Sequence, residues 1–493
     1  MPPPRLSAVD ASFLYLEQPR TPMHVGAVGV FDAPPGGVDH ARLVDTIERR
    51  LGAVPRYRQK VRRVPGNLAR PVWVDDADFD IAFHVRRSAL PRPGTPDQLA
   101  ELVARLMSRP LDPDRPLWEC YVVEGLASAA DGAPAAPGPR GDRFAVVTKT
   151  HQAMVDGVGT VDLGQVLLDP TPDAPEPPGW SGQLWMPRPE PSDAQLVRDA
   201  VAEALARPAE VADTVRHAVL DAAATGTRVL RVAGALVGTV AAGGRLAPGS
   251  PLNTVVSTQR RFAVARGDLD AYRAVRSAHG CTVNDVVLTV VTGALRTWLL
   301  SRGEPVTADR RVRALVPLWV GPPPDAPEDA ARSGRVVSTI VDLPVGEPRP
   351  AVRLQHVAHA MRAHTAGGRT VPAGALARLG GHAPPTLHAL GARAASGIAR
   401  RIFNLVVTNV PGPQVPLYAV GARMRETYPV VPLAAGQALA IGITSYDGGV
   451  FYGLNGDRDA LPDLDVVAHT IDEALDELLA STHHGAGPAG NGA

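Results

Sequence analysis

The chain has 493 residues, of which 45% are hydrophobic and 20% charged, and its 50 basic residues balance its 50 acidic ones. This length exceeds what one hydrophobic core normally organises, so we expect two domains joined by connecting segments. The balanced charge excludes the basic footprint that is typical of a nucleic-acid-binding protein.

Cysteine content and hydropathy exclude further classes. Cys120 and Cys281 are too few for a disulfide framework or a thiolate metal site. The N-terminus does not show a charged start followed by an apolar core, so no secretory signal is expected. The longest uncharged apolar stretch, 232–244, is shorter than the roughly 20 residues that a spanning helix needs. We therefore expect a protein that does not cross a membrane but can lie on one.

The first half of the sequence alternates short strand-like and helix-like segments. Apolar alternation and β-branched runs predict strands, and a period of 3.6 residues predicts helices. The predicted strands are 24–31, 119–124 and a run beginning at Phe144; the predicted helices are 39–51, 96–109 and 163–168. Small, polar and Pro-rich stretches at 127–142 and 170–191 predict a loop and a connector, followed by a helical bridge at 193–243.

A second half with the same mixed character begins near Pro251. Its predicted helices are 269–279, 283–300 and 463–479; its predicted strands are 261–266, 312–316, 336–343, 405–409, 438–446 and 450–454. The chain is thus divided into an N-terminal domain (1–175), a connector (176–250), a C-terminal domain (251–480) and a tail (481–493). The Gly- and Ala-rich tail is expected to be disordered.

The most informative segment runs from Phe144 to Gly157. An apolar, β-branched run ends at His151, and a short predicted turn that contains Asp156 and Gly157 follows. This pattern predicts a strand that ends in a loop carrying polar groups.

The segment resembles the His-His-x-x-x-Asp-Gly motif of CoA-dependent acyltransferases, including chloramphenicol acetyltransferase and the bacterial wax ester synthase/diacylglycerol acyltransferases. Further segments resemble the second of these families and recur in its order. They are Leu6–Phe13 with Pro22–Gly26, Asp114–Glu119 containing Pro116 and Trp118, Pro251–Asn253, Thr282–Leu288 containing Asn284 and Asp285, Thr408–Pro413 containing Asn409 and Gly412, and Ser445–Gly448.

The resemblance implies an α/β (α+β) fold of two chloramphenicol acetyltransferase-like domains with the active-site tunnel between them. It implies transfer of a fatty acyl group from acyl-CoA to diacylglycerol, or to a long-chain alcohol to give a wax ester. In such chemistry a neutral imidazole accepts the proton of the attacking hydroxyl, and a donor stabilises the oxyanion. The family's Asp, here Asp156, orients the loop, and Gly157 permits the turn. Asn284 is either an oxyanion donor or a helix N-cap.

This chain departs from the motif at position 152, where Gln152 replaces the second histidine. An amide cannot accept a proton at useful pH. If strand geometry continued through both positions, His151 would face away from the tunnel, because consecutive strand residues point to opposite faces. The resemblance implies a catalytic set of His151, Gln152, Asp156 and Asn284. Strand geometry favours a His151 that packs behind the loop, and the alternative is that His151 is itself the base.

Our leading expectation is a cytoplasmic acyl-CoA-dependent O-acyltransferase of triacylglycerol or wax ester synthesis. It would be peripherally associated with the inner face of the plasma membrane or with lipid droplets. Acyl-CoA is a co-substrate, and no metal or redox cofactor is implied. The alternatives are a non-catalytic lipid- or acyl-CoA-binding paralogue, and an acyltransferase for another acceptor such as an amine, which depends less on a strong base.

Overall fold

The structure is a computed structural model that describes residues 3–34, 36–127, 143–155, 163–173, 185–206, 247–320, 335–366, 371–372 and 402–484. In chain order the described α-helices are α1 Ala8–Leu16, α2 His40–Arg50, α3 Ile81–His84, α4 Pro96–Ser108, α5 Gln152–Val155, α6 Leu163–Leu167, α7 Asp193–Ala206, α8 Leu269–His279, α9 Val283–Ser301, α10 Pro350–Ala366 and α11 Leu464–His484. The described strands are β1 His24–Asp32, β2 Gln59–Arg62, β3 Val72–Asp75, β4 Val85–Ala89, β5 Trp118–Leu126, β6 Arg143–His151, β7 Arg260–Asp268, β8 Val312–Val320, β9 Arg335–Leu343, β10 Val371–Pro372, β11 Leu405–Pro411, β12 Tyr418–Ala419, β13 Ala422–Val430, β14 Leu439–Tyr446 and β15 Gly449–Asp457.

The first large sheet combines strands from both halves of the chain. Its order within the described residues is β12-β13-β1-β6-β5-β4, and β1 pairs antiparallel with β6 on one side and with β13 on the other. The predicted boundary at residue 251 therefore does not separate two independently packed domains. Strands β12 and β13 lie after that residue in the sequence but belong to the first sheet.

The second large sheet has the order β10-β9-β8-β11-β14-β15-β7 across the described segments. Strand β11 runs parallel to β8 and β14, whereas β14, β15 and β7 form an antiparallel run. Helices α8, α9, α10 and α11 pack with this sheet in one apolar core. A separate core lies under the first sheet and includes residues of α2, α4 and β5.

Helix α9 is the apolar centre of the second core. Among the described helices it alone has the length and hydropathy of a membrane span, but 72% of that window is buried inside the fold. Burial of this kind is typical of a core helix. A capping box starts the helix: the Thr282 hydroxyl accepts the N–H of Asp285, whose carboxylate accepts the N–H of Thr282.

Local signals placed most of the described elements. Helix α8 begins and ends as predicted, with the Asp268 side chain as N-cap and Gly280 in the left-handed conformation at its C-terminus. Strands β2, β3, β4, β10, β12 and β13 and helices α1, α3, α5 and α10 were not predicted. Helix α11 continues through Ser481 to His484, so the predicted start of the tail at 481 is wrong by four residues. Residues 207–243 of the predicted bridge lie outside the described residues.

Candidate active site

Strand β6 ends at His151, and helix α5 begins at the next residue, Gln152. His151 lies opposite His24 of β1. The backbone N–H of His151 donates to the carbonyl of Leu117 at 2.9 Å. The premise that strand alternation extends through position 152 is therefore wrong, because the backbone turns into a helix there. The orientation of Gln152 follows from the start of α5 and not from the pleat of β6.

The imidazole of His151 is 1% exposed and already uses its acceptor nitrogen. Its Nδ1 accepts the N–H of Ala153 at 3.0 Å, so in the neutral ring the proton is on Nε2. Nε2 lies 3.6 Å from Oε2 of Glu17, which is longer than a hydrogen bond, and has no closer hydrogen-bond partner among the described residues. In this arrangement His151 has no free lone pair with which to take a proton from an acyl acceptor.

Gln152 sits at the first helical position with its side-chain amide partly buried. Its backbone N–H donates to the carbonyl of Met23 at 2.9 Å. Its Oε1 is buried and has no hydrogen-bond partner within the part of the chain that the structure describes. This oxygen can accept a hydrogen bond from a ligand but cannot act as a base. The predicted motif residues Asp156 and Gly157 lie outside the described residues.

Asn284 occupies the second residue of α9 and is not its N-cap, which is Thr282. The N-cap alternative for Asn284 is therefore wrong. Its Oδ1 accepts a hydrogen bond from Nδ2 of Asn409 on β11 at 3.0 Å. The Nδ2 group of Asn284 takes no part in this bond and is a hydrogen-bond donor. The predicted residue Asp285 serves the capping box of α9 and is buried.

The remaining predicted residues have structural contacts. Trp118 is fully buried, donates from Nε1 to the Tyr57 carbonyl at 2.8 Å, and stacks on His84 with ring centroids 4.6 Å apart. The carbonyl of Pro116 accepts the N–H of Trp118 at 2.8 Å. Gly412 donates its N–H to the carbonyl of Ser445 at 3.0 Å, and a Cβ at this position would collide with that carbonyl.

The structure thus brings the predicted residues into two groups. His151 and Gln152 lie at the junction of β6 and α5, and Asn284 and Asn409 lie where α9 meets β11. Within the described residues no hydrogen bond connects the two groups.

A cleft of about 320 Å³ lies between the two halves. Its apolar wall includes Val28, Phe262 and Tyr428, and it is lined by none of the predicted site residues that the structure describes. Val28 is four residues along β1 from His24, the residue opposite His151. At about 3.3 Å per residue this places the cleft roughly 13 Å along the strand from the motif. The cleft therefore does not represent the site at position 152.

Sequence reasoning missed a group of buried ionisable side chains beside the motif. Lys149, two residues before His151, is fully buried and lies 3.4 Å from a Glu119 carboxylate oxygen. Burial lowers the pKa of Lys149, although Glu119 opposes that shift. Burial, followed by the charge of Glu119, raises the pKa of Tyr121 to about 12. The signal in the sequence was the isolated lysine within an apolar strand, which requires a buried partner.

Glu17 is the other residue that sequence reasoning did not single out. It follows α1, and its Oε1 accepts the N–H of Met23 at 3.1 Å. Burial acts to raise the pKa of Glu17, but the neighbouring His151 and the Met23 N–H outweigh it, so the pKa lies below its usual value. Glu17 is therefore ionised at neutral pH.

Known proteins share both the sequence pattern and this architecture. The model of the wax ester synthase/diacylglycerol acyltransferase catalytic domain matches residues 6–287, and that of the WS/DGAT C-terminal domain matches residues 334–479. A probable diacylglycerol O-acyltransferase of Mycobacterium tuberculosis H37Rv, tgs3, is 46% identical over 284 residues, which are 56% of this chain and 97% of that protein. A second protein of that strain, named as a diacylglycerol O-acyltransferase (Rv1760), is 35% identical over 96% of this chain and 90% of its own length.

A solved structure extends the likeness to three dimensions. The wax ester synthase/diacylglycerol acyltransferase from Marinobacter aquaeolei VT8 superimposes with a TM-score of 0.67 at 28% identity, over 97% of this chain and 100% of that one. The expected two-part acyltransferase fold is thereby confirmed. The matches extend over both halves of the sequence, and the chain belongs to the wax ester synthase/diacylglycerol acyltransferase family of acyltransferases.

Proposed function

We propose that this protein transfers a fatty acyl group from acyl-CoA to the hydroxyl of diacylglycerol, giving triacylglycerol, or to that of a long-chain alcohol, giving a wax ester. The hydroxyl oxygen bonds to the thioester carbonyl carbon, the carbon–sulfur bond breaks, and the hydroxyl proton is transferred to the departing thiolate to give free CoA. The family and the names of its members support this reaction.

The observation that carries the proposal is the buried Oε1 of Gln152 at the start of α5, which has no hydrogen-bond partner among the described residues. A buried oxygen without a hydrogen bond destabilises the fold by about 1–3 kcal/mol. The hydroxyl of an alcohol or diacylglycerol bound in the site would donate the missing hydrogen bond. Gln152 would then orient the hydroxyl without deprotonating it, so that catalysis depends on alignment of the two substrates. The Nδ2 group of Asn284, which takes no part in the bond to Asn409, is our candidate donor to the oxyanion.

The acceptors are apolar lipids, so we place the protein in the cytoplasm, peripherally at the plasma membrane or at lipid droplets. The exposed apolar side chains of Leu68, Val201 and Leu205 support a surface that meets lipid. Flotation with vesicles of phosphatidylglycerol and phosphatidylcholine tests this placement. Protein that stays at the bottom of the gradient with every lipid composition would contradict it.

An amine acceptor is the second candidate, and the engaged lone pair of His151 favours it. An amine attacks a thioester without prior deprotonation, so it depends less on a base than an alcohol does. The Oε1 of Gln152 can accept an N–H as readily as an O–H.

The test measures release of CoA from radiolabelled palmitoyl-CoA with dioleoylglycerol, hexadecanol or hexadecylamine as acceptor. We expect acceptor-dependent release and a labelled ester with the first two. Gln152→Ala should reduce it, whereas Gln355→Ala, the same change at an exposed site on α10, should not. Product only with the amine would favour the second candidate. Binding of palmitoyl-CoA with no acceptor-dependent release would overturn both and indicate a binding protein.

A further inference from the structure

The turn between α1 and β1 packs against the motif. Helix α1 contacts α5, and Glu17, which directly follows α1, directs its two carboxylate oxygens to different partners. Oε1 accepts the N–H of Met23 at 3.1 Å, and Oε2 faces Nε2 of His151 at 3.6 Å.

Both partners of Glu17 accept hydrogen bonds from the backbone at the start of α5. The Met23 carbonyl accepts the N–H of Gln152 at 2.9 Å, and Nδ1 of His151 accepts the N–H of Ala153 at 3.0 Å. The first N–H groups of a helix have no partner within the helix and need outside acceptors. The Glu17 carboxylate therefore contacts both residues that accept these two consecutive N–H groups of the motif.

The state of the ring is fixed by these contacts. A proton on Nδ1 of His151 would face the N–H of Ala153 and break their hydrogen bond, so the arrangement requires the tautomer with its proton on Nε2. The carboxylate of Glu17 is the group that faces this proton. At 3.6 Å the contact is longer than a hydrogen bond, and such contacts in active sites are often long until substrate is bound.

We propose that Glu17 is a positioning residue for acyl transfer, holding the tautomer of His151 and the first turn of α5 so that the Gln152 side chain faces the acceptor. The role in turnover rests on the function proposed above, whereas the role in ordering the backbone does not. Glu17 does not touch the reacting atoms and acts through Met23 and His151.

The first test is amide hydrogen exchange, which requires no activity. In Glu17→Ala the amides of Gln152 and Ala153 should exchange about tenfold faster, because a hydrogen bond of roughly 1.4 kcal/mol corresponds to a factor of ten in opening. Glu17→Gln keeps an oxygen for the Met23 N–H but loses the charge, so Ala153 should respond more than Gln152. Glu101→Ala, the same change on an exposed face of α4, should leave both unchanged. Unchanged exchange at 152 and 153 in Glu17→Ala would overturn the proposal.

The second test is a double-mutant cycle on turnover. Glu17→Ala and His151→Ala should each lower kcat about 10-fold or more with little change in KM, and the double variant should be no slower than the slower single one, because both act on one element. Glu17→Gln should retain intermediate activity. Independent, multiplying losses would contradict action through His151. If the wild-type protein shows no acyl transfer, the function proposed above fails, and the exchange experiment still decides the role of Glu17.

Discussion

At position 152 an amide occupies the place of the imidazole in the family motif, and the adjacent His151 has its acceptor nitrogen engaged. We predict that Gln152→His increases acyl transfer to hexadecanol. The start of α5 already orients this side chain, and a well-placed imidazole base is worth roughly 100- to 10,000-fold. Steady-state turnover with palmitoyl-CoA as donor measures the change.

The control for this prediction is the pH–rate profile. If His151 is the working base in the wild-type protein, its turnover already shows a histidine limb and Gln152→His adds nothing. A gain in rate that appears together with a new limb between about pH 6 and 7 would assign the base to position 152.

A single buried residue, His24, makes the stability of the protein depend on pH. It is 4% exposed, and burial, followed by the charge of Lys149, holds its pKa well below the usual value. The native protein keeps His24 neutral while the unfolded chain takes up a proton near pH 6.5, so stability falls as the pH drops below that value. The slope attributable to one such group is at most about 1.4 kcal/mol per pH unit.

We therefore predict that Tm falls between about pH 7.5 and 5.5 and that His24→Gln flattens this slope. The slope should not vanish, because burial also lowers the pKa of His84. Thermal melts at several pH values measure it, with the exposed His356→Gln as control. An identical slope in His24→Gln and the wild-type protein would show that His24 is not responsible.

At the scale of elements, the contact between β13 and β15 joins the two sheets. A Cβ at Gly453 of β15 would collide with the carbonyl of Pro429 on β13, so only glycine permits this close approach. We predict that Gly453→Ala lowers the free energy of unfolding by about 1–3 kcal/mol through overpacking. Gly249→Ala is the matched control, because a Cβ there meets no atom within 4 Å. Chemical denaturation measures both, and equal midpoints would contradict the close contact of the strands.

At the scale of the whole molecule, Arg260 of β7 connects the halves. Its guanidinium donates to the carbonyl of Arg20, in the turn that follows Glu17, and its backbone N–H donates to Oγ of Ser108 at 2.9 Å. The side chain is buried and lies 3.8 Å from Asp457. Burial lowers the pKa of Arg260, and Asp457 opposes that shift.

We predict that Arg260→Ala lowers the free energy of unfolding by about 1–3 kcal/mol, because it removes the donor to the Arg20 carbonyl and leaves the buried Asp457 carboxylate without its nearby cation. The neighbouring Arg261→Ala should change it by less than about 1 kcal/mol, since its bond to Asp465 at 3.1 Å is at the surface. Denaturation of both variants provides the comparison. Equal stabilities of the two variants would indicate that the contact between Arg260 and the turn containing Arg20 does not stabilise the protein.

Features that depend on near neighbours and on ordered motifs could be predicted from the amino-acid sequence. Asp268 and Gly280 delimit α8 because capping is a local hydrogen-bonding and dihedral requirement. The apolar run before His151 specified a buried strand, and the ordered motifs identified the family.

Features that depend on partners distant in the chain required the folded protein. Strand β13 pairs with β1 across about 400 residues of sequence. Its apolar alternation is interrupted by Glu426, and Pro429 argues against a strand when only the sequence is considered. Glu17 reaches His151 only because α1 packs against α5, and the turn into a helix at Gln152 depends on the acceptor that Met23 provides. Local pattern fixes which element a segment forms, whereas the choice of neighbour, and with it the state of each site residue, is set by packing of the complete chain.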